Sequence, residues 1–201
     1  MILGAITRNV IGSSIRIIKS MKRLKAYLRR IYRLSVNYSK QGDLLWDDLK
    51  RLFAGSNWKY GIYENEKYIE AIFEIGNEKG QRFFYQINNG YFRCFVNVIE
   101  NFPVELTTEL FILATHFNNL LNNGVVIINI ENHTVEYAIK RDILIPLLYT
   151  GELYNELLRH HKTSKDIYWA FQKLIDENEA PAIIIADLLK KIKAEEEQNK
   201  K

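Results

Sequence analysis

The hydrophobic pattern in the middle of the chain follows a strand period, then a helix period, then a strand period again. Residues 81–87 and 91–99 are rich in aromatic and β-branched side chains, which is typical of strands. Asn88-Asn89-Gly90 lies between them, and an Asn-Gly pair tolerates the positive φ angles of a tight hairpin turn. The pattern therefore predicts an antiparallel hairpin. Its second strand has one fully apolar face that we expect to be buried, formed by Phe92, Cys94, Val96 and Val98.

A single helix is predicted over residues 104–122, because apolar side chains recur there at intervals of three and four. Its stripe consists of Leu106, Leu110, Leu113, Phe117 and Leu120/Leu121. Phe111 and Ala114 widen the stripe, so we expect the helix to be well covered. Two more strands are predicted at residues 125–131 and 134–140. A long helix inserted between two groups of antiparallel strands predicts an α+β fold with the helix on one face of the sheet.

Shorter elements flank this central unit. The pattern predicts a helix at residues 44–53 after a break at 39–43, strands at 60–63 and 67–75, an element at 143–148 that extends the sheet or crosses its edge, and C-terminal helices at 151–158, from 163 onward and at 181–192. Thr163-Ser164 followed by Asp166 is typical of a helix start. The charged end at residues 193–201 is expected to fray.

Charge is distributed unevenly between the start of the chain and the rest. The net charge is +4, but residues before Asp43 include ten basic side chains and no acidic one. The remainder holds 18 basic and 24 acidic residues, a net charge of −6. We therefore divide the chain into a basic amphipathic helical arm at 1–42, an α+β domain at 43–192 and a charged tail at 193–201.

The arm carries an apolar stripe formed by Ile17/Ile18, Met21, Leu24, Leu28, Ile31 and Leu34. Basic residues occupy most of its remaining surface, so three interpretations are open. The arm could adsorb to an anionic membrane through the set Lys22, Arg23, Arg29 and Arg30. It could neutralise nucleic-acid phosphates, which is the least favoured interpretation. It could pack its stripe on its own domain or on a second copy, which is the favoured one because apolar stripes usually face a core.

Candidates for chemistry are few. Cys94 lies on the predicted buried face, and a nucleophilic thiol needs exposure and a nearby base or cation. His160-His161 cannot both point the same way on a helix, and no nearby Cys or Asp completes a metal set. We therefore predict no catalytic residue, no metal and no cofactor. The single cysteine favours a reducing compartment, so we expect a cytoplasmic protein, with the arm allowing peripheral contact with a membrane.

Aromatic side chains suggest an interaction surface instead. Tyr63, Tyr68, Tyr85, Tyr91 and Phe95 are candidates for a less buried face of the sheet. Aromatic residues and arginine are enriched at protein interfaces. We predict a protein interface formed by Tyr85, Tyr91, Arg93 and Phe95.

Residues 84–121 are FYQINNGYFRCFVNVIENFPVELTTELFILATHFNNLL, and residues 124–143 are GVVIINIENHTVEYAIKRDI. With the order of elements over residues 44–178, these passages resemble the bacterial YbjN family of sensory transduction regulators, which is similar in fold to type III secretion chaperones. The nearest local match is Leu113-Ala114-Thr115-His116-Phe117-Asn118, similar to that family's helix end with its asparagine. The resemblance implies a type III secretion chaperone-like domain that is homodimeric and binds proteins or peptides without catalysis. It implies no active-site residues.

Three hypotheses for function follow. The favoured one is a non-catalytic protein-binding regulator or chaperone-like module. The second is a peripheral membrane adaptor that acts through the basic arm. The third is an enzyme with a dispersed site, which requires a deep pocket with convergent polar groups.

Overall fold

The computed structural model describes residues 20–76, 80–88 and 90–198. It contains an antiparallel sheet of six strands in the order β1-β2-β3-β4-β6-β5. The strands are β1 (Tyr60–Tyr63), β2 (Tyr68–Phe73), β3 (Gln81–Asn88), β4 (Tyr91–Glu100), β5 (Val125–Asn129) and β6 (Thr134–Asp142). The predicted α+β fold, with antiparallel strand groups on either side of a helix, is confirmed.

The helices are α1 (20–35), α2 (Tyr38–Ala54), α3 (Thr107–Leu120), α4 (Leu144–Leu148), α5 (Thr150–Glu177) and α6 (Pro181–Gln198), with a 3-10 turn at Val104–Leu106 before α3. The break between α1 and α2 lies at residues 36–37, before the predicted break at 39–43. Asn37 explains the difference, because its side chain accepts the backbone N–H of Lys40 (2.9 Å) and caps α2. The predicted break at 39–43 is therefore wrong, because these residues lie within α2.

The C-terminal part is more helical than the pattern suggests. Residues 143–148, predicted to extend or cross the sheet, contain α4. The predicted helix start at Thr163-Ser164 is wrong, because α5 runs through it without a break. Ser164 is buried there and donates to the backbone carbonyl of His160 (2.7 Å), which satisfies its hydroxyl inside the helix. Helix α6 continues to Gln198, beyond the point where fraying was predicted.

One face of the sheet packs against the helices, and we call it the core face. The predicted buried side chains of β4 are all on it: Phe92, Cys94, Val96 and Val98 are at most 1% exposed. Helices α2, α3 and α5 pack against this face. Helix α3 is less well covered than predicted, because Phe111 is 43% exposed and only Leu110, Leu113, Ala114 and Phe117 are buried.

Asn118, at the end of α3, protects the free edge of β5. Its side chain accepts the backbone N–H of Val126 (2.7 Å) and donates to the carbonyl of the same residue (3.0 Å). Backbone polar groups of a strand point alternately to its two sides, so these groups of Val126 face away from β6. The asparagine thus takes the place of a seventh strand at this point, where an unpaired edge would invite association with another chain.

We expect Asn118→Ala to destabilise the protein by about 1–2 kcal/mol, because two hydrogen bonds are lost and each contributes about 1 kcal/mol. Thermal denaturation should show a decrease in Tm of roughly 2–8 °C for a chain of this size. Asn119→Ala is the matched control, since Asn119 is exposed on the same turn of α3. Equal melting temperatures for the two variants would contradict this role of Asn118.

Candidate binding face

The face of the sheet opposite the core face is exposed or half-buried, and we call it the open face. It is formed by alternate residues of neighbouring strands: Tyr68, Glu70, Phe84, Gln86, Tyr91, Arg93, Phe95, Val125, Ala138 and Lys140. These positions follow from the two-residue period of a strand, because their sequence neighbours are buried against the helices.

Aromatic rings from three adjacent strands form an apolar patch at the centre of the open face. The ring centroids of Phe84 and Phe95 are 5.9 Å apart, and that of Tyr68 is 6.3 Å from Phe84. Tyr63 stacks on Tyr68 at 4.2 Å. A groove of about 740 Å³ lies over this patch, continues toward Val125, and is bordered by Gln86, Arg93 and Lys140. The patch is therefore apolar at its centre and polar along one side.

Two cations oppose each other along that side. Arg93 on β4 is the direct cross-strand neighbour of Lys140 on β6, and both side chains are exposed. Like charges in such a position destabilise the pairing of strands. Within the described residues, neither cation has a carboxylate within 4.0 Å. Lys140 instead has its Nζ 3.9 Å from the centre of the Tyr91 ring, a weak cation–π contact.

The acidic groups of this face accept hydrogen bonds within the protein. Asp142, the cross-strand neighbour of Tyr91, accepts the backbone N–H of Leu144 (2.7 Å). Glu70 forms an ion pair with Arg82 (3.4 Å) and accepts from the hydroxyl of Tyr63 (3.3 Å). Glu136 accepts from the side chains of Asn129 (2.9 Å) and Thr134 (3.1 Å). Within the described residues Arg93 and Lys140 thus remain without an ion pair beside the groove, which favours a ligand that carries a negative charge.

Three of the four predicted interface residues lie on the open face. Tyr91, Arg93 and Phe95 are there, but Tyr85 is not, and its placement on the less buried face is wrong. Tyr85 pairs with Cys94 and shares its direction into the core, where it is fully buried. Its neighbour Phe84 occupies the open face instead. Grouping Tyr85 with Phe83 and Ile87 by the alternation along β3 would have identified this.

Lys140 was missed altogether. It opposes Arg93 through the pairing of β4 with β6, strands that α3 and β5 separate in the chain. Local spacing carries no signal for such a pair.

The predicted anionic-surface residues divide into two pairs. Lys22 and Arg23 are exposed on α1. Arg29 and Arg30 turn toward the body: Arg29 binds Asp48 (2.9 Å), while Arg30 donates to the carbonyl of Leu148 (3.3 Å). The ring of Tyr149 lies 4.5 Å from the Arg30 guanidinium. Arg29 and Arg30 are thus already used within the protein.

The apolar stripe of α1 is not covered by its own domain within the described residues. Met21 is 65% exposed and Leu24 is 58% exposed, and the stripe remains exposed through Leu34. Ile17 and Ile18, predicted to begin the stripe, lie outside the described residues. The expectation that this stripe packs on its own domain is therefore not met in the described part of the chain.

The interior holds polar side chains of types that active sites use, among them His160 and Cys94. His160 is fully buried between the rings of Tyr137 (5.1 Å) and Phe83 (5.4 Å), and neither of its ring nitrogens has a hydrogen-bond partner. Burial lowers the pKa of His160 to about 3. Burial likewise raises the pKa of the Cys94 thiol well above its usual value. Both groups are therefore neutral near pH 7, so this cluster supplies neither a thiolate nor a protonated imidazole.

His161 lies at the edge of that cluster, with its ring centroid 5.9 Å from that of Phe83 and 5.6 Å from that of Phe73. Its Nε2 lies 3.0 Å from the carbonyl of Glu74. In the parts of the chain described above, no three His, Cys, Asp or Glu side chains are arranged to hold a metal ion. None of the helices in those parts combines the length and apolar character needed to cross a bilayer.

Comparisons of the chain with family models, with curated proteins and with solved structures give no match.

Proposed function

We propose that this protein is a non-catalytic binding module, a regulator or chaperone-like protein that recognises a partner polypeptide through the open face. The observation that supports this most strongly is the opposed pair Arg93 and Lys140 beside the aromatic groove. A partner segment that places a carboxylate next to apolar side chains would neutralise the cations and cover the rings at the same time. Such combined electrostatic and apolar complementarity is what specific interfaces use.

The shape of the site favours a polypeptide over a small substrate. The groove lies on the surface of a sheet, and its apolar walls come from Tyr68, Phe84, Phe95 and Val125. Pockets for small molecules usually enclose most of the ligand and direct several polar groups at one point. Here the cations stand on one side and the aromatic rings on the other, an arrangement suited to successive side chains of a bound segment.

The resemblance to the YbjN family is part of the same proposal. It supports a cytoplasmic, homodimeric protein with a type III secretion chaperone-like domain, in which binding and not turnover is the activity. The fold alone does not specify a partner, so the chemistry of the open face is the better guide.

Charge reversal at the cations tests the proposal. We expect Arg93→Glu/Lys140→Glu to reduce capture of the partner from lysate of the source cells by at least about tenfold, because two favourable charge contacts become unfavourable. The substituted pair is still a like-charge pair, so its effect on folding should be small. Quantitative mass spectrometry of the captured proteins provides the measurement.

Lys165→Glu/Lys193→Glu is the matched control, since it changes net charge equally at exposed positions on α5 and α6. It should retain the partner that the open-face variant loses. A partner lost by both variants, or kept by both, would contradict recognition through the open face.

A further inference from the structure

Helix α1 packs on the body through its arginine side and leaves its apolar side outward. Arg33 is 4% exposed, donates to the carbonyl of Leu147 (2.6 Å) and forms an ion pair with Asp48 (2.5 Å). Arg29 binds both carboxylate oxygens of Asp48, at 2.9 and 3.2 Å. This orientation is the reverse of that in an ordinary surface helix, whose apolar stripe faces the core.

Helix geometry places the two sides opposite each other. Successive residues are about 100° apart around the axis, so Leu24 and Arg33, nine positions apart, project in opposite directions. Ile31 lies about 200° from both Arg29 and Arg33. The outward apolar surface consists of Met21, Leu24, Tyr27, Leu28, Ile31 and Leu34, all of which are exposed. We call it the outer stripe.

Basic residues border the outer stripe on both sides. By the same geometry, Arg23 lies beside Tyr27 and Leu34 at one border, while Lys25 lies beside Met21 at the other. Lys22 lies between Arg29 and Arg33 around the axis, on the side opposite the stripe. The chain has no acidic residue before Asp43, so nothing on the helix neutralises these cations.

This charge pattern distinguishes between two occupants of the outer stripe. If a second copy paired stripe against stripe, the Arg23 and Lys25 borders of the two helices would meet in either orientation, without any acidic partner on α1. An anionic bilayer accepts both features, because the apolar side enters the interface and the flanking cations meet lipid phosphates. Tyr27 and Tyr32 are also exposed on α1, and tyrosine is enriched at membrane–water interfaces.

We propose that α1 binds the surface of anionic membranes through the outer stripe and its basic borders. Arg29 and Arg33 take no part in the lipid contact. They connect the membrane-bound helix to the body from the opposite side. This inference is independent of the proposed function, because no residue of the open face contributes to it.

Vesicle co-sedimentation of the full chain tests the inference. We expect binding to phosphatidylcholine vesicles that contain phosphatidylserine, and much weaker binding to phosphatidylcholine alone. Arg23→Glu/Lys25→Glu should weaken binding by at least about twenty-fivefold, since each cation near an anionic surface contributes about fivefold. Leu24→Ser/Leu28→Ser/Ile31→Ser should abolish it through loss of the inserted apolar side chains.

Lys165→Glu/Lys193→Glu provides the charge-matched control on the body and should bind as the unchanged protein does. The outer-stripe variant should also keep the melting temperature of the unchanged protein, because its three positions are exposed. The inference would be overturned by no binding to anionic vesicles, by equal binding to neutral ones, or by a stripe variant that converts a dimer to a monomer in sedimentation equilibrium. A large decrease in melting temperature of the stripe variant would also overturn it, since the stripe would then be covered by the protein itself.

Discussion

The variant His160→Phe is expected to gain stability relative to the unchanged protein as the pH is lowered from neutral to acid. His160 is completely buried among aromatic rings, and burial lowers its pKa from 6.5 to about 3. The unfolded chain therefore binds a proton between pH 6.5 and pH 3 that the folded chain excludes. Stability falls as pH falls through this window and becomes level below it.

The size of this effect is large for one residue. At pH 5 the excluded proton costs about 2 kcal/mol, and near pH 3.5 about 4 kcal/mol. A domain has roughly 5–15 kcal/mol of stability in total, so this histidine should dominate the acid side of the stability curve. Phenylalanine has no proton to bind and would occupy the same aromatic environment.

Urea denaturation of both proteins between pH 7 and pH 4 measures the difference. The stability advantage of His160→Phe should grow by about 2 kcal/mol between pH 7 and pH 5. His160→Leu should give the same pH dependence if Phe proves too large. His116→Phe serves as control on α3 and should leave the dependence unchanged. Parallel curves for the His160 variants and the unchanged protein would show that this histidine does not control acid stability.

Arg33→Met is expected to destabilise the protein by about 3 kcal/mol, the lower end of the cost of removing one partner from a buried ion pair. The change leaves the carbonyl of Leu147 without its donor and Asp48 without its shortest ion pair. Arg29 remains near Asp48, which is why the lower end applies. Methionine retains most of the apolar stem of the arginine, so the loss reflects polar contacts. The decrease in Tm should be roughly 6–12 °C.

A double-mutant cycle with Asp48→Asn isolates the ion pair. We expect the double variant to be more stable than the sum of the single changes predicts, by at least about 1 kcal/mol. Arg30→Met is the control on the same helix, because Arg30 is exposed. It should lower the free energy of unfolding by less than about 1 kcal/mol. Additive effects of Arg33→Met and Asp48→Asn would contradict the contact that connects α1 to the body.

The sequence pattern predicted the sheet well, because apolar and polar side chains alternate along its strands. The hairpin of β3 and β4 and the buried set from Phe92 to Val98 follow from side-chain period and turn chemistry alone. The errors in helix boundaries arise where a polar side chain forms a hydrogen bond with the backbone that the pattern does not indicate. Ser164 donates to a carbonyl of its own helix and does not start a new one. Asn37 caps α2, which therefore begins earlier in the chain than predicted.

The candidate site was predictable only in part. Arg93 and Phe95 could be placed on one face of β4 by alternation, but the opposition of Arg93 and Lys140 depends on which strands become neighbours. A shift of register between Asn97 and Ile99 adds to the difficulty. The orientation of α1 could not be predicted from the sequence either. A stripe pattern identifies the apolar and polar sides of a helix, but it does not indicate which side contacts the body. The buried pair of Arg33 and Asp48 decides that orientation, and no local pattern indicates it.

Site-specific photo-crosslinking tests the central claim most directly. A photoreactive phenylalanine analogue placed at Phe95 lies on the open face, whereas the same analogue at Phe111 lies on the exposed side of α3. If the open face binds a partner polypeptide, the Phe95 position should yield a single covalent adduct with the partner that Arg93→Glu/Lys140→Glu fails to capture, and the Phe111 position should yield none. Adducts from Phe111 but not from Phe95 would contradict the account.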